Sequence, residues 1–385
     1  MSASPDQVLT QAIADGAVPG IVALAADSSG VVYQGVHGHT SGDRRTEMRL
    51  DSVFRIASMT KAVTAAAAMQ LLEQGRLKLD EPMKIHAPQL GEVPVLLGFD
   101  DDGTPQTRAP ARDITLRDLL THTSGYSYDL FNADVARYME HEKLPSIATC
   151  MNDSLRAPLL FDPGERWEYG IGIDWVGKIV EAVSGEALED YLQAHLFSPL
   201  GMTDTSFLLR SDMQQRLVAA SARDADGFQS IEFDFPSDGD FHMGGGGLYS
   251  TGPDYLRFTR MLLGGGMLDG VRVLEEKTVA LMGENAIGDI EVPPLASANP
   301  AVALEAEAFP GQIKRWGLSF MLNTEDVAGC RAANSLAWAG VHNTFFWIDP
   351  TRRFTGVIMM QLLPANDPKV LGTLGAYERA LYARL

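Results

Sequence analysis

The sequence predicts an α+β fold in which one sheet is built from both chain ends and a mostly helical stretch is inserted between them. Three observations carry this. Each end holds two apolar runs split by a turn cluster, the middle is dominated by helical patterns broken by Pro, Gly and Asp loops, and no internal repeat or long linker divides the chain. The expected division is an α/β region in two parts, residues 1–80 and 241–385, around a mostly helical region, residues 81–240.

At the N-terminal end, residues 6–16 read as a short helix, with Asp6 favouring its start and Gly16 stopping it. Pro19-Gly20 then opens a strand over 21–26. Asp27-Ser28-Ser29-Gly30 is a turn, and a second strand follows over 31–36, so the pair reads as a hairpin. Residues 345–348, Asp349-Pro350 and residues 354–360 repeat the pattern near the other end. A closing helix over 370–385 carries Leu371, Leu374, Tyr377, Leu381 and Leu385 on one side. In the middle, 113–120 and 173–183 are the clearest helices. The stretches 88–112 and 286–312 are rich in Pro, Ala, Gly and Asp and read as long loops, which in compact proteins often form functional walls.

The 385 residues are 45% hydrophobic and 21% charged, ordinary values for a chain that buries a sizeable core. A net charge of −19 repels nucleic acid and anionic membrane surfaces and disfavours polyanionic substrates. Two cysteines, Cys150 and Cys330, are too few for a disulfide scaffold or a Cys-based zinc site. The first basic residue is Arg44, so a secretory n-region is lacking, and the most apolar stretch, 62–72, is too short to span a bilayer. The expectation is a cytoplasmic protein with no membrane partner.

The chemistry concentrates in one helix. From Ser58 to a stop at Gly75 it is apolar nearly all round, the mark of a buried helix, and between Arg55 and Glu73 its one charged residue is Lys61. A lone buried lysine is costly unless it deprotonates or finds partners. Three residues separate it from Ser58, so the two share a helix face, with Ser58 at the N-terminus where free N–H groups favour developing negative charge. A serine hydroxyl is a weak nucleophile until a base takes its proton, and a desolvated lysine can be that base. With 22 serines and 8 lysines, about half an S-x-x-K match arises by chance, so the spacing gains its weight from the apolar setting. The structural alternative is Ser58 as a helix cap and Lys61 reaching to the surface.

Two further elements bear on Ser58. Tyr169-Gly170-Ile171 follows a turn at 162–167 and precedes a helix, a junction from which Tyr169 could shuttle a proton. Trp338-Ala339-Gly340-Val341-His342 runs into a strand, and its small residues let an edge-strand backbone approach a ligand, where a backbone N–H could join that of Ser58 in an oxyanion hole. Taken singly, a half-buried tyrosine and a Gly-bearing turn explain both.

Together, Ser58-Met59-Thr60-Lys61, Tyr169-Gly170-Ile171 and Trp338-Ala339-Gly340 resemble, in order and rough spacing, the three catalytic motifs of the serine β-lactamase and penicillin-binding-protein superfamily. The segments 114–125, 197–207 and 244–251 match its framework, and the whole is similar to the class C branch and, within it, to the family VIII carboxylesterases. The resemblance covers about residue 16 to the last helix. It implies a β-lactamase/transpeptidase-like fold, an antiparallel sheet flanked by helices plus a mostly helical region. It also implies Ser58 as nucleophile, Lys61 and Tyr169 as general base and proton shuttle, and the N–H groups of Ser58 and Val341 as oxyanion hole. Where class C enzymes carry Tyr-x-Asn and Lys-Thr-Gly, this chain has Ile171 and Trp338. It therefore lacks the cation for a lactam carboxylate and offers an apolar wall, which favours neutral esters.

The resulting expectation is a carboxylesterase for short-acyl, small-molecule esters, with weak β-lactamase side activity and no cofactor. A β-lactamase or D-amino-acid-specific peptidase, an acyltransferase using an alcohol acceptor, and a non-catalytic penicillin-binding-like protein stand as alternatives. Trp338, Ala339, Gly340, His342, Tyr126, Tyr128 and Ile171 are the expected substrate-binding residues, with Phe131 beside them. Other signals read blandly. His37 and His39 lack further ligands at metal spacing. His122 and Ser124 suggest a dyad, but the superfamily uses that turn structurally. Asp100 to Gly103 lacks the spacing of a calcium loop, and Gly244 to Gly247 is no phosphate loop but lets backbone pass close to the cleft. The G-x-S-x-G elbow of α/β-hydrolases is absent.

Overall fold

The computed structural model describes residues 3–224, 227–236 and 238–385. The strands of the main sheet are β1 (Gly20–Asp27), β2 (Val31–Gly38), β3 (Lys314–Trp316), β4 (Met321–Asn323), β5 (Leu336–Gly340), β6 (Thr344–Asp349) and β7 (Phe354–Met359). They pair antiparallel in the order β3-β4-β5-β6-β7-β1-β2. Both expected hairpins are present, and β7 joins β1, so the two chain ends meet in mid-sheet with Val22 opposite Met359. The three strands β3 to β5 extend the sheet beyond the hairpins legible in the sequence.

Both faces of the sheet are buried, and the period-two alternation assigns each side chain to a face. In β1, Val22, Leu24 and Ala26 belong to one core, and Ile21, Ala23 and Ala25 to the other. The second core is covered by α1 (Pro5–Ala14) and the C-terminal helix Pro368–Tyr382, which pack on each other. The first is covered by α2 (Thr60–Glu73) and by helix Gly252–Leu263, which lies across β1, β6 and β7. Ser4 caps α1, in a capping box with Gln7, and Asp6 sits in its first turn as expected.

In the inserted region, α3 (Gly172–Ser184) packs on α2, which is why α2 is enclosed on every side and shows no polar face. The region also holds pairings the sequence did not suggest. Val95–Phe99 pairs with Pro105–Arg108, and Ser221–Asp224 pairs with Gly227–Ser230 and with Leu362–Leu363. The expected loop 88–112 thus folds largely into a hairpin whose turn is held by Asp100, which accepts from the N–H groups of Asp102 and Thr104. Among the described residues, no helix is long and apolar enough to cross a membrane.

Candidate active site

Strand residues Val53–Arg55 lead into a tight turn, Ala57–Met59, and then directly into α2. Ala57 is buried with φ +44°, a left-handed conformation that costs a non-glycine residue roughly 1–3 kcal/mol and persists only where its surroundings fix it. The turn leaves Ser58 half-buried at the head of a helix that is otherwise almost wholly enclosed. Lys61, one turn on, is 1% exposed. Its Nζ donates to Ser58 Oγ at 3.0 Å and to the Gly245 carbonyl at 2.6 Å. It also lies over the rings of Tyr169 and Tyr128, 4.8 Å and 5.2 Å from their centroids. Lys61 therefore does not reach the surface; two oxygens and two π faces replace its water.

Tyr169 stands at the loop before α3, as its position in the sequence suggested. Its hydroxyl oxygen accepts the indole N–H of Trp338 at 3.0 Å, and its ring packs against Trp338, Trp167, His122, Tyr128 and Phe131. An indole N–H can only donate, so Tyr169 is left to direct its own proton elsewhere.

Strand β5 is third in the sheet, not an outer strand. Its ladder to β4 stops at Met321 opposite Ala337, however, so Trp338 to Gly340 form a local edge. A Cβ at Gly340 would lie 2.4 Å from the Ile56 carbonyl and 2.3 Å from Thr344 Oγ1, so only glycine lets this strand end sit on the segment carrying Ser58. Thr344 Oγ1 donates to the same Ile56 carbonyl, at 3.3 Å. The contact brings the backbone at Val341 and at Ser58 to one cavity wall.

That cavity has a volume of about 1290 Å³ and is walled mainly by apolar side chains. Ser58 opens into it with Tyr128, Phe131, Tyr169, Phe233, Phe235 and Trp338. The loop expected over 286–312 contributes Val292, Pro293, Leu295 and Val302, whereas the stretch 88–112 supplies none of the wall. Ala339 and Gly340 line it too. Tyr126, Ile171 and His342, expected to touch substrate, are placed elsewhere. Tyr126 is 1% exposed and bridges Leu159, and Ile171 is buried at the cap of α3. His342 is wholly buried, edge-on to Phe233. At this turn its ring is enclosed, while Val341 lines the cavity.

Burial decides the charge states around the site. His342 is pushed down to about 3 by desolvation, with the Arg55 charge adding to it, so its ring is neutral. His122 is likewise depressed well below its usual value by burial and by the Lys61 charge; both its ring nitrogens lack hydrogen-bond partners, so no dyad with Ser124 exists. Asp174 is raised to about 6 by burial, against the pull of Lys61 and the Gly245 N–H. Gly245 lies in the 244–247 stretch expected to pass close to the cleft, whereas Asp174 is a site neighbour that the sequence reading missed. The lone acid in an apolar helix turn was the signal for Asp174. Elsewhere, His37 lies 3.6 Å from Asp6 and 3.3 Å from Thr10, and both cysteines are buried and unpaired.

Comparison with known proteins identifies the family and the fold. The β-lactamase family model matches residues 5–378. Lovastatin esterase of Penicillium rubens is 33% identical over 98% of each chain. Monacolin J acid methylbutanoyltransferase of Aspergillus terreus is 34% identical over 97% of this chain and 94% of that one. Unliganded simvastatin synthase from A. terreus superposes with a TM-score of 0.85 at 31% identity, covering 100% of this chain and 99% of that one. The chain belongs to the β-lactamase family and has its β-lactamase/transpeptidase-like fold.

Proposed function

We propose that this protein is a serine carboxylesterase that cleaves short-acyl esters through an acyl-enzyme on Ser58. The observation that carries the reading is the 3.0 Å contact of Lys61 Nζ with Ser58 Oγ beneath a large apolar cavity. In the first half-reaction Ser58 Oγ attacks the ester carbonyl as its proton passes to the Lys61/Tyr169 pair. The oxyanion is met by the N–H groups of Ser58 and Val341. The alcohol leaves carrying the proton returned by the same pair. Water then attacks the acyl-enzyme and releases the acid. An alcohol in place of water gives acyl transfer by the same steps.

The cavity exceeds the usual ~300–1,000 Å³ of ligand pockets. A short acyl group on Ser58 would fill little of it, so we assign the remainder to a bulky, largely apolar alcohol moiety. Among the relatives, the methylbutanoyltransferase is named for a short acyl group and its acceptor, monacolin J acid, and the esterase for lovastatin. The reading includes a place among the family VIII carboxylesterases, a cytoplasmic location and no cofactor. Trp338 supports esterase over β-lactamase action, because an indole offers no cation to a lactam carboxylate.

The test is initial rates of wild type and Ser58→Ala on p-nitrophenyl acetate, butyrate and octanoate and on nitrocefin, with phosphonate labelling of the serine. Fast ester turnover falling with acyl length, slow nitrocefin opening and loss of both in the variant are expected. Nitrocefin outpacing the esters, or full activity in Ser58→Ala, would reject the reading.

A further inference from the structure

Asp174 is fully buried in the first turn of α3, and the chemistry described above does not use it. Its Oδ1 accepts the Gly245 N–H at 2.8 Å, while Oδ2 is buried without a hydrogen-bond partner among the described residues. The peptide that supplies this N–H is also held from its other side: the Gly244 carbonyl accepts from Thr64 Oγ1 on α2 at 2.8 Å. The next carbonyl along the chain, that of Gly245, is the one that takes Lys61 Nζ at 2.6 Å. A Cβ at Gly245 would lie 2.5 Å from Asp174 Oδ2, so the carboxylate packs directly on this glycine and would have to shift for any other residue there. One buried anion thus stands a single residue behind the acceptor of the catalytic ammonium.

We propose that Asp174 is a positioning residue of the active site: its carboxylate fixes the Gly245 backbone that holds Lys61, and its negative charge sets the pH range over which Ser58 is activated. The inference rests on the esterase reading of Ser58 and Lys61. A buried anion favours the protonated form of a neighbouring ammonium and disfavours a neighbouring phenolate. It therefore moves activation to higher pH whether Lys61 or Tyr169 takes the first proton.

Other groups facing this pair do not supply that charge. His122, beside Lys61, is held neutral by burial. Tyr128 is raised far above its usual value by burial, with Asp174, Tyr169 and Asp129 adding to the rise, and so stays protonated. Cys150 is raised to about 11 by burial and by Asp174 itself, and stays a thiol. Asp174 neutralises as pH falls through about 6, so in the wild type it supplies its charge above that pH.

The test measures kcat/KM against pH on p-nitrophenyl butyrate, and the rate of Ser58 phosphonylation against pH, for wild type, Asp174→Asn and Asp174→Ala. Circular dichroism and thermal unfolding check that each variant is folded. Asp174→Asn keeps an acceptor for the Gly245 N–H and removes the charge. Its acid limb should move to lower pH by roughly half a unit to one unit, with the plateau nearly kept. Asp174→Ala also frees the Gly245 backbone and should lower the plateau by about tenfold or more.

An acid limb unmoved in Asp174→Asn, or a folded Asp174→Asn that neither turns over ester nor reacts with the phosphonate, would overturn the inference alone, provided that wild type is labelled at Ser58. Wild type that is neither labelled nor active on esters would overturn the esterase reading and this inference with it.

Discussion

Replacing Trp338 with Phe isolates one hydrogen bond at the site. The indole N–H donates to Tyr169 Oη at 3.0 Å, while the ring itself packs at 4.7 Å on Trp316 and 5.0 Å on Tyr169. Phe keeps most of that packing and removes the donor. If Tyr169 passes a proton in the rate-limiting step, its oxygen carries negative charge there, and a bond to a charged acceptor is worth about 1.5–3 kcal/mol. At 1.36 kcal/mol per factor of ten, kcat/KM for p-nitrophenyl butyrate should fall by about 10- to 150-fold. A bond that only orients a neutral hydroxyl is worth about 0.5–1.5 kcal/mol, and the loss would then stay near tenfold or below. The assay is kcat/KM across pH, with the melting temperature as a check on folding. Because the indole favours the phenolate, its removal should also shift the limb governed by Tyr169 to higher pH. A loss under about twofold with an unmoved profile would refute a role for the Trp338–Tyr169 bond in proton transfer.

Three further outcomes are expected. Gly340→Ala would push β5 away from Ile56, and since misplacement by about 1 Å can cost a hundredfold, kcat should fall by about that factor with little change in KM; steady-state kinetics on p-nitrophenyl acetate decide it. His342→Phe should blunt acid unfolding. A folded value near 3 against an ordinary 6.5 means that the unfolded chain binds the proton first, so His342 contributes stability above pH 6.5 that is lost on acidification, by about 2 kcal/mol at pH 5. Asp174, raised to about 6, acts in the opposite sense, with a contribution present below 3.8 and lost as pH rises through 6, so urea midpoints of variant and wild type at pH 7 and 5 must be compared as differences. Trp338→Lys supplies the missing cation and should raise nitrocefin turnover relative to ester turnover; no change in that ratio would show that the residue does not govern the choice.

Much of the site was legible because its signals are local. A buried helix with one lysine three residues after a serine is a one-dimensional pattern, and so are the hairpins that begin and end the chain. Tyr169 and Trp338 were legible as candidates, yet their hydrogen bond was not. It joins residues 169 apart through the sheet edge, and nothing in either segment encodes the partner. The same limit explains Tyr126, Ile171 and His342. Proximity to a motif says nothing about facing, and all three side chains are buried in the core.

The sequence by itself determined the terminal hairpins, the buried helix with its serine–lysine spacing and the meeting of both chain ends in one sheet, because periodicity and turn chemistry act over a few residues. Tertiary structure alone decided what surrounds that pair. Gly340 admits β5 to the Ile56 carbonyl, the 286–312 loop closes a wall, and Asp174 is tied to Lys61 through the Gly245 backbone. These are contacts between segments distant in the chain, set by how the sheet and the inserted helices pack; the Asp174 charge also acts on Lys61 directly, and burial rather than residue type then fixes the charge that each group carries.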